Sequence, residues 1–163
     1  MNRKHTLTPV LICVLAFVVG CSPAAQRKLI VSANEAQDAA AHSYNIAKLQ
    51  EAEATRVCVA ALKEKFLPLP AKPAEIKPFC AAVGSPVPFD PVSLQKAAGP
   101  INALYDAIRV ANAERISTGD NVTQATLINL ASLFEQVVAD LTAAGIGLPE
   151  KVKLVAKTLR GGP

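Results

Sequence analysis

Aromatic and histidine side chains are scarce in this 163-residue chain. Aromatic residues make up 4% of it, tryptophan is missing and only two histidines occur, whereas 51% of the residues are hydrophobic, many of them alanine. A β sandwich needs alternating β-branched and aromatic residues, so this composition disfavours one. Alanine-rich chains form helices that pack closely through small side chains. The composition therefore predicts an all-α fold.

A strong charge of one sign is also missing. The formal net charge is +4, but Arg3 and Lys4 precede an apolar segment, and the rest of the chain carries 15 positive and 13 negative groups. Nucleic-acid-binding domains have a marked excess of basic residues that neutralise phosphates. This near balance argues against a nucleic-acid partner.

Catalytic and ligand-binding motifs are missing as well. Beyond the first 20 residues His42 is the only histidine, and beside Ser43 on a predicted helix it is interpreted as a solvated side chain. Glu51 and Glu53 are two residues apart, so they point to different sides of a helix and cannot act as a paired acid and base. The other acids occur singly among basic residues. We therefore predict a protein that is not an enzyme and has no metal and no cofactor.

The first 20 residues have the pattern of an export signal. Arg3 and Lys4 precede "LTPVLICVLAFVVG", an uncharged run that is shorter than the roughly 20 residues needed to span a bilayer. The run ends in Val18-Val19-Gly20-Cys21, which resembles the lipobox of bacterial lipoproteins. That resemblance implies removal of residues 1–20 and acylation of Cys21 by a diacylglycerol and a third chain such as palmitate. An uncleaved signal anchor with an incidental cysteine is the alternative.

The same resemblance predicts a location. Lipoproteins kept in the inner membrane typically carry aspartate after the acylated cysteine, and this chain has Ser22 there. We therefore expect residues 21–163 to form a single domain anchored by lipid to the outer membrane, on its periplasmic face, in a presumed Gram-negative bacterium.

The lipobox resemblance also bears on the remaining cysteines. Cys13 would be lost with the signal and Cys21 would carry lipid, which leaves Cys58 and Cys80 in an oxidising compartment. We expect these two to form a disulfide. A metal or redox pair is the less favoured alternative, because neither cysteine has a nearby histidine or a C-x-x-C partner.

A long helix is predicted over residues 24–66, which contain no glycine and no proline. Its apolar stripe is small in the first half, where alanines predominate. Two interpretations follow for that half: a stalk leading away from the lipid, or a face that pairs with a partner helix or with a second copy. The stripe comprises Leu29, Ala33, Ala36, Ala40, Tyr44, Ala47, Ala54, Cys58, Ala61 and Leu62.

Seven of the twelve prolines lie between residues 67 and 91, so residues 67–90 are predicted to be a proline-rich loop with at most a turn or two of helix between Ala74 and Val83. Its apolar residues favour a crossover packed on the helices, with a polyproline II ligand at "PLPAKP" as the alternative. The apolar residues concerned are Leu67, Leu69, Ile76, Phe79, Val83, Val87 and Phe89.

Three further helices are predicted, over residues 91–116, 121–144 and 149–160. Asp90-Pro91 is a typical helix start, and Gly99-Pro100 predicts a kink or a brief break in the first of the three. Asn121 and Gln124 have the spacing of a capping box. Short turns between helices imply antiparallel neighbours in a small bundle.

These observations predict a non-enzymatic structural or protein-interaction module, whose partner is a protein or a second copy met through the long helix, or the cell wall. Two alternatives remain: a phage- or plasmid-type lipoprotein that blocks a receptor or assists lysis, and a carrier of small apolar ligands. The last predicted helix has a basic side that is either solvated or in contact with lipid headgroups or peptidoglycan. Its residues are Lys151, Lys153, Lys157 and Arg160.

Overall fold

The computed structural model describes residues 22–160, and within that range the chain forms five α-helices and no strand. The all-α helical bundle predicted from the sequence, with a long first helix and a short last one, is confirmed. In chain order the helices are α1 (Pro23–Glu64), α2 (Pro73–Ala82), α3 (Pro91–Thr118), α4 (Gln124–Ala143) and α5 (Glu150–Leu159).

Four of the helices form a bundle. The first half of α1 packs against α3 and α5, and α4 packs against the same two helices, so α1 and α4 lie diagonally across the core. Phe134 of α4 is the largest side chain that is fully buried there. The core is closed at one end by Ile146 and Leu148 of the segment between α4 and α5.

The buried face of α3 is visible in the sequence. The six residues buried on this helix recur at intervals of three and four, which is the pattern of an amphipathic helix. Helical spacing of three and four places them on one side, where α1 and α4 cover them. They are Leu94, Ala97, Ile101, Leu104, Ile108 and Ala111.

The first half of α1 is part of the bundle core, so the interpretation of this half as a stalk is wrong. Ile30, Ala33, Ala36 and Ala40 are at most 1% exposed. The small alanine side chains let α1 approach α3 and α5 closely. These two helices therefore cover the alanine face that a partner helix would need. The helix begins at Pro23, and the Ser22 hydroxyl before it caps the first turn by accepting a hydrogen bond from the Ala25 backbone N–H.

Two predicted features of α3 and α4 differ in the structure. The helix α3 is continuous through Gly99-Pro100, so the predicted break is absent. The predicted capping box at Asn121 is wrong, because Thr123 caps α4 by accepting a hydrogen bond from the Thr126 backbone N–H. Asn121 instead donates its side-chain amide to the Thr118 carbonyl oxygen, which belongs to the end of α3.

Candidate functional site: the end of the arm

The second half of α1 leaves the bundle. Ala47 is the last residue of α1 in the bundle core, and the next buried residue on this helix is Cys58. Residues 51–87, which we call the arm, comprise the rest of α1, a connecting segment, α2 and the start of the return to α3. Helix α2 packs on the part of α1 that belongs to the arm. It also contacts α3, which lies outside the arm. The segment predicted to be a loop therefore contains a ten-residue helix.

The arm has its own small core. Cys58, Leu62, Cys80 and Val87 are buried together, and Phe79 with three other partly buried residues packs against them. Cys58 and Cys80 lie at disulfide distance, with their Cα atoms 5.4 Å apart, as expected from the sequence. This pair joins the last turns of α1 to the last turns of α2 across 22 positions of sequence.

Beyond this small core, the arm ends in an exposed apolar turn. Phe66 has a φ of 52° and is 97% exposed, and Leu67 and Leu69 are nearly half exposed. The expectation that Leu67 and Leu69 pack on the helices is therefore wrong, whereas Ile76, Phe79 and Val87 do pack as expected. The helix stops at this point because Phe66 takes up a left-handed backbone conformation that an α-helix excludes.

Backbone hydrogen bonds hold the turn in place. The Leu67 backbone N–H donates to the Leu62 carbonyl oxygen over 3.0 Å. On the other side, one carboxylate oxygen of Glu75 accepts from the backbone N–H groups of Ala71 and Lys72, over 2.8 and 3.2 Å. Both ends of the turn are thus fixed to the helix next to them. One oxygen of the Glu75 carboxylate is thus bound by the chain's own backbone.

An apolar cleft of about 390 Å³ opens beside the exposed turn. It is bounded by the end of α1, by the turn and by one side of α2. Apart from Leu62, which is buried, its walls are partly or fully exposed. The lining residues are Leu62, Leu67, Pro68, Pro78, Phe79, Ala82 and Val83.

The net positive charge of residues 22–160 lies at this same end. That range carries 15 basic and 13 acidic side chains, and four lysines and two glutamates of these fall within residues 63–77, which we call the arm end. The remaining 11 basic and 11 acidic residues balance. The four lysines, all exposed, are Lys63, Lys65, Lys72 and Lys77.

The opposite end of α1, next to residue 22, has a polar network. The Gln26 side-chain oxygen accepts from the Val122 backbone N–H over 2.6 Å, which ties the start of α1 to the turn between α3 and α4. Asp120 accepts from Arg115 over 2.8 Å, and Arg27 lies 4.0 Å from the same carboxylate. These contacts are made within the chain, and the buried Nε of Arg115 has no hydrogen-bond partner among residues 22–160.

The remaining candidate residues do not form a chemical site. His42 is exposed on α1. Glu51 accepts a hydrogen bond from the Thr55 hydroxyl, whereas Glu53 pairs with Arg56, whose guanidinium lowers the pKa of the Glu53 carboxyl. Of the basic residues on α5, Lys153 pairs with Glu150, and Arg160, just after the helix, pairs with Glu135 of α4. Glu51 and Glu53 thus have separate partners and do not form an acid–base pair.

Residues 22–160 contain neither a metal-binding cluster nor a membrane-spanning helix. No group of three or more His, Cys, Asp or Glu side chains in this range could hold a metal ion. No helix in this range is both long and apolar enough to cross a bilayer. Cys21, the predicted acylation site, and the rest of the lipobox lie outside the described residues.

Comparison with family models, with curated proteins and with solved structures found no match to this chain. No relative therefore contributes a site or an activity. The end of the arm remains the candidate because it combines exposed apolar side chains, a cleft and an excess of charge, whereas sequence periodicity pointed to the alanine face of α1. The feature of the sequence that could have indicated the end of the arm is local. It is a phenylalanine and two leucines among lysines and prolines within residues 63–77.

Proposed function

We propose that this chain is a lipoprotein of the bacterial envelope, anchored through Cys21 to the periplasmic face of the outer membrane, that works by physical contact and not by catalysis. The bundle holds the first half of α1 in place, and the end of the arm is the contact surface. The pattern of Val18-Val19-Gly20-Cys21 supports the anchor, since it follows a basic start and an uncharged run of the length expected for an export signal.

One observation carries the proposal: a single helix connects the predicted anchor with the exposed apolar surface. Helix α1 starts at Pro23, two residues after Cys21, and runs for 42 residues to Glu64. At about 1.5 Å per residue this helix is about 63 Å long. The end of the arm would therefore stand far from the anchoring lipid, held there by a bundle that fixes the first half of the helix.

The anchor is tested by intact mass and membrane fractionation of the mature protein. We expect a chain that starts at Cys21 and is heavier than its sequence by the mass of its acyl groups. A Cys21→Ala variant should lose this added mass, whereas a Cys58→Ser/Cys80→Ser variant, which keeps Cys21, should retain it. An unmodified Cys21 in the mature wild-type chain would overturn the anchor.

The contact surface is tested by placing a photo-crosslinking amino acid at position 66 of the full-length protein in cells. The matched control is position 154, since Leu154 is a 63% exposed apolar residue of α5 in the bundle. We expect adducts with envelope components from position 66 and few from position 154. Equal labelling at both positions would refute the assignment of the contact surface to the end of the arm.

A further inference from the structure

We infer that the end of the arm docks on a lipid bilayer with anionic headgroups. The exposed turn would enter the interface, and the exposed Lys63 and Lys72 would lie near the headgroups. The inference names the partner of the contact surface and in that respect rests on the proposed function. The docking itself is a property of the arm end and does not need the anchor at Cys21.

The exposed turn has the side chains of a membrane-inserting loop. Phe66 is 97% exposed, more than any other large hydrophobic residue of residues 22–160, and Leu67 and Leu69 accompany it. The positive φ of Phe66 belongs to the end of α1, where the Phe66 and Leu67 backbone N–H groups donate to the Lys63 and Leu62 carbonyl oxygens, and it leaves the Phe66 ring uncovered. Aromatic and leucine side chains are the ones that enter the boundary between headgroups and acyl chains.

The charge around the turn is complementary to an anionic surface. Lys65 immediately precedes Phe66, where its ammonium group donates to the Val83 carbonyl oxygen over 3.5 Å, and the exposed Lys72 closes the connecting segment at the start of α2. Glu75, one of the two acids of the arm end, is held by the Ala71 and Lys72 backbone N–H groups. Basic residues near an anionic membrane surface each add to the binding energy.

The arm end is also fixed in shape before any contact is made. The bond between Cys58 and Cys80 joins its two helices, and Pro68, Pro70 and Pro73 restrict the backbone between them. A rigid surface loses little conformational freedom on binding, which favours binding through few side chains.

A bilayer fits this surface better than a protein does. Phe66 protrudes and is almost fully uncovered, so a protein partner would need a matching pocket, whereas acyl chains rearrange around a protruding side chain. The length of α1 places the turn about 63 Å from the first residue of that helix.

The experiment is vesicle capture by the full acylated protein. The protein is reconstituted into phosphatidylcholine donor vesicles, and its loading is measured first. Fluorescent acceptor vesicles of phosphatidylcholine, with or without phosphatidylglycerol, are then added, and their retention on the donors is counted. We expect retention of the acceptors that contain phosphatidylglycerol, with a decrease when the salt is raised from about 0.1 M to about 1 M, because the Debye length shortens from about 10 Å to about 3 Å.

The variant Phe66→Asp should lower this retention by about tenfold or more, since it removes the largest inserted side chain and adds a charge of the wrong sign. Leu154→Asp replaces an apolar residue of the bundle that is 63% exposed and should retain acceptors as the wild type does. Unchanged far-ultraviolet circular dichroism would verify that both variants fold, as the exposure of the two residues predicts.

Three outcomes would overturn the inference. They are equal retention of both kinds of acceptor, full retention by Phe66→Asp, and no retention while position 66 crosslinks to a protein in cells. Failure of the proposed anchor is visible separately, because an unacylated chain would not load the donors. Flotation of that same chain with the acceptor vesicles would then still test whether the arm end binds an anionic bilayer.

Discussion

The bundle and the arm keep their apolar residues from water in different ways. The bundle closes over a continuous core of four helices in which Phe134, Leu130 and Leu104 are at most 1% exposed. The arm has four buried residues, and two of them are the bonded cysteines. A core this small rarely supplies enough hydrophobic stabilisation to order two helices, so a covalent crosslink takes over part of that role.

The two regions also differ in what they leave exposed. Exposed apolar residues of the bundle, such as Leu154 and Ile128, lie on different helices among balanced charges. Those at the end of the arm are close in sequence, beside a cleft, where the positive excess also lies. The comparison suggests that the bundle is organised for stability and the arm for contact.

The largest expected effect comes from the same substitution made in both regions. Leu130→Ala in the bundle and Leu62→Ala in the arm each remove a leucine that is at most 1% exposed. Leu130→Ala should lower the global free energy of unfolding by about 2–5 kcal/mol. Leu62→Ala should mainly increase local opening, seen as faster amide hydrogen exchange in Ala54–Leu62 while the bundle stays protected.

Urea unfolding followed by circular dichroism, together with hydrogen exchange, distinguishes these effects. If Leu62→Ala lowers the stability of the bundle as much as Leu130→Ala does, the two regions form one cooperative unit, and the division into bundle and arm is wrong.

The second-largest effect is expected from removing the disulfide, and it should be confined to the arm. In the chain-entropy account, closing a loop of 22 residues stabilises the folded state by about 3 kcal/mol. Cys58→Ser/Cys80→Ser should therefore unfold the arm and leave the bundle helices intact. Limited proteolysis should cut within residues 65–85 of the variant and not of the wild type. Loss of the bundle along with the arm would contradict the prediction.

How far the sequence predicts this structure differs between the same two regions. The buried faces of α3 and α4 follow from periodicity, because four helices share one continuous core and the apolar stripe must face it. The extent of α2 was missed, because Pro78 lies inside it and proline propensity argues against a helix there. Packing of Phe79 and Cys80 against α1 outweighs that propensity.

Exposure at the arm end could not be predicted either. A run of leucines and phenylalanine among prolines fits a packed crossover as well as an uncovered turn, since local sequence does not reveal where neighbouring helices end. The exposure of this turn is decided by tertiary structure. Helix α1 continues past the last core position it contributes to the bundle, so no other helix covers Phe66. The pairing of Cys58 with Cys80, by contrast, followed from the lipobox resemblance.

Two glycines on α3 sharpen the comparison within the bundle itself. Gly119 ends the helix with a φ of 70°, where a side chain is strained, whereas Gly99 lies inside the helix directly before Pro100. A proline ring clashes with the Cβ of a helical residue before it, and this opposes the gain that alanine brings inside a helix. Gly119→Ala should therefore destabilise the protein by about 1 kcal/mol, whereas Gly99→Ala should change its stability by less than about 0.5 kcal/mol. Thermal unfolding of both variants measures the difference, and equal destabilisation by the two would contradict it.

The smallest effect should be a pH dependence confined to the end of the bundle nearest residue 22. The pKa of the Glu114 carboxyl is lowered from its ordinary value of 4.5, because the Thr126 hydroxyl and then the Thr123 backbone N–H donate to the ionised form. A carboxyl with a lowered pKa stabilises the fold above the pKa of the unfolded chain, and this contribution is lost as the pH falls through the folded pKa.

The loss should therefore begin below pH 4.5 and be absent near neutrality. Glu114→Gln should lower the urea midpoint of the bundle slightly at pH 7, and its difference from the wild type should shrink as the pH is lowered. Hydrogen exchange in the arm should not respond to the substitution, because Glu114 contacts the turn that begins α4 and not residues 51–87. A difference between wild type and variant that stays constant with pH would show that these hydrogen bonds do not depend on the charge of Glu114.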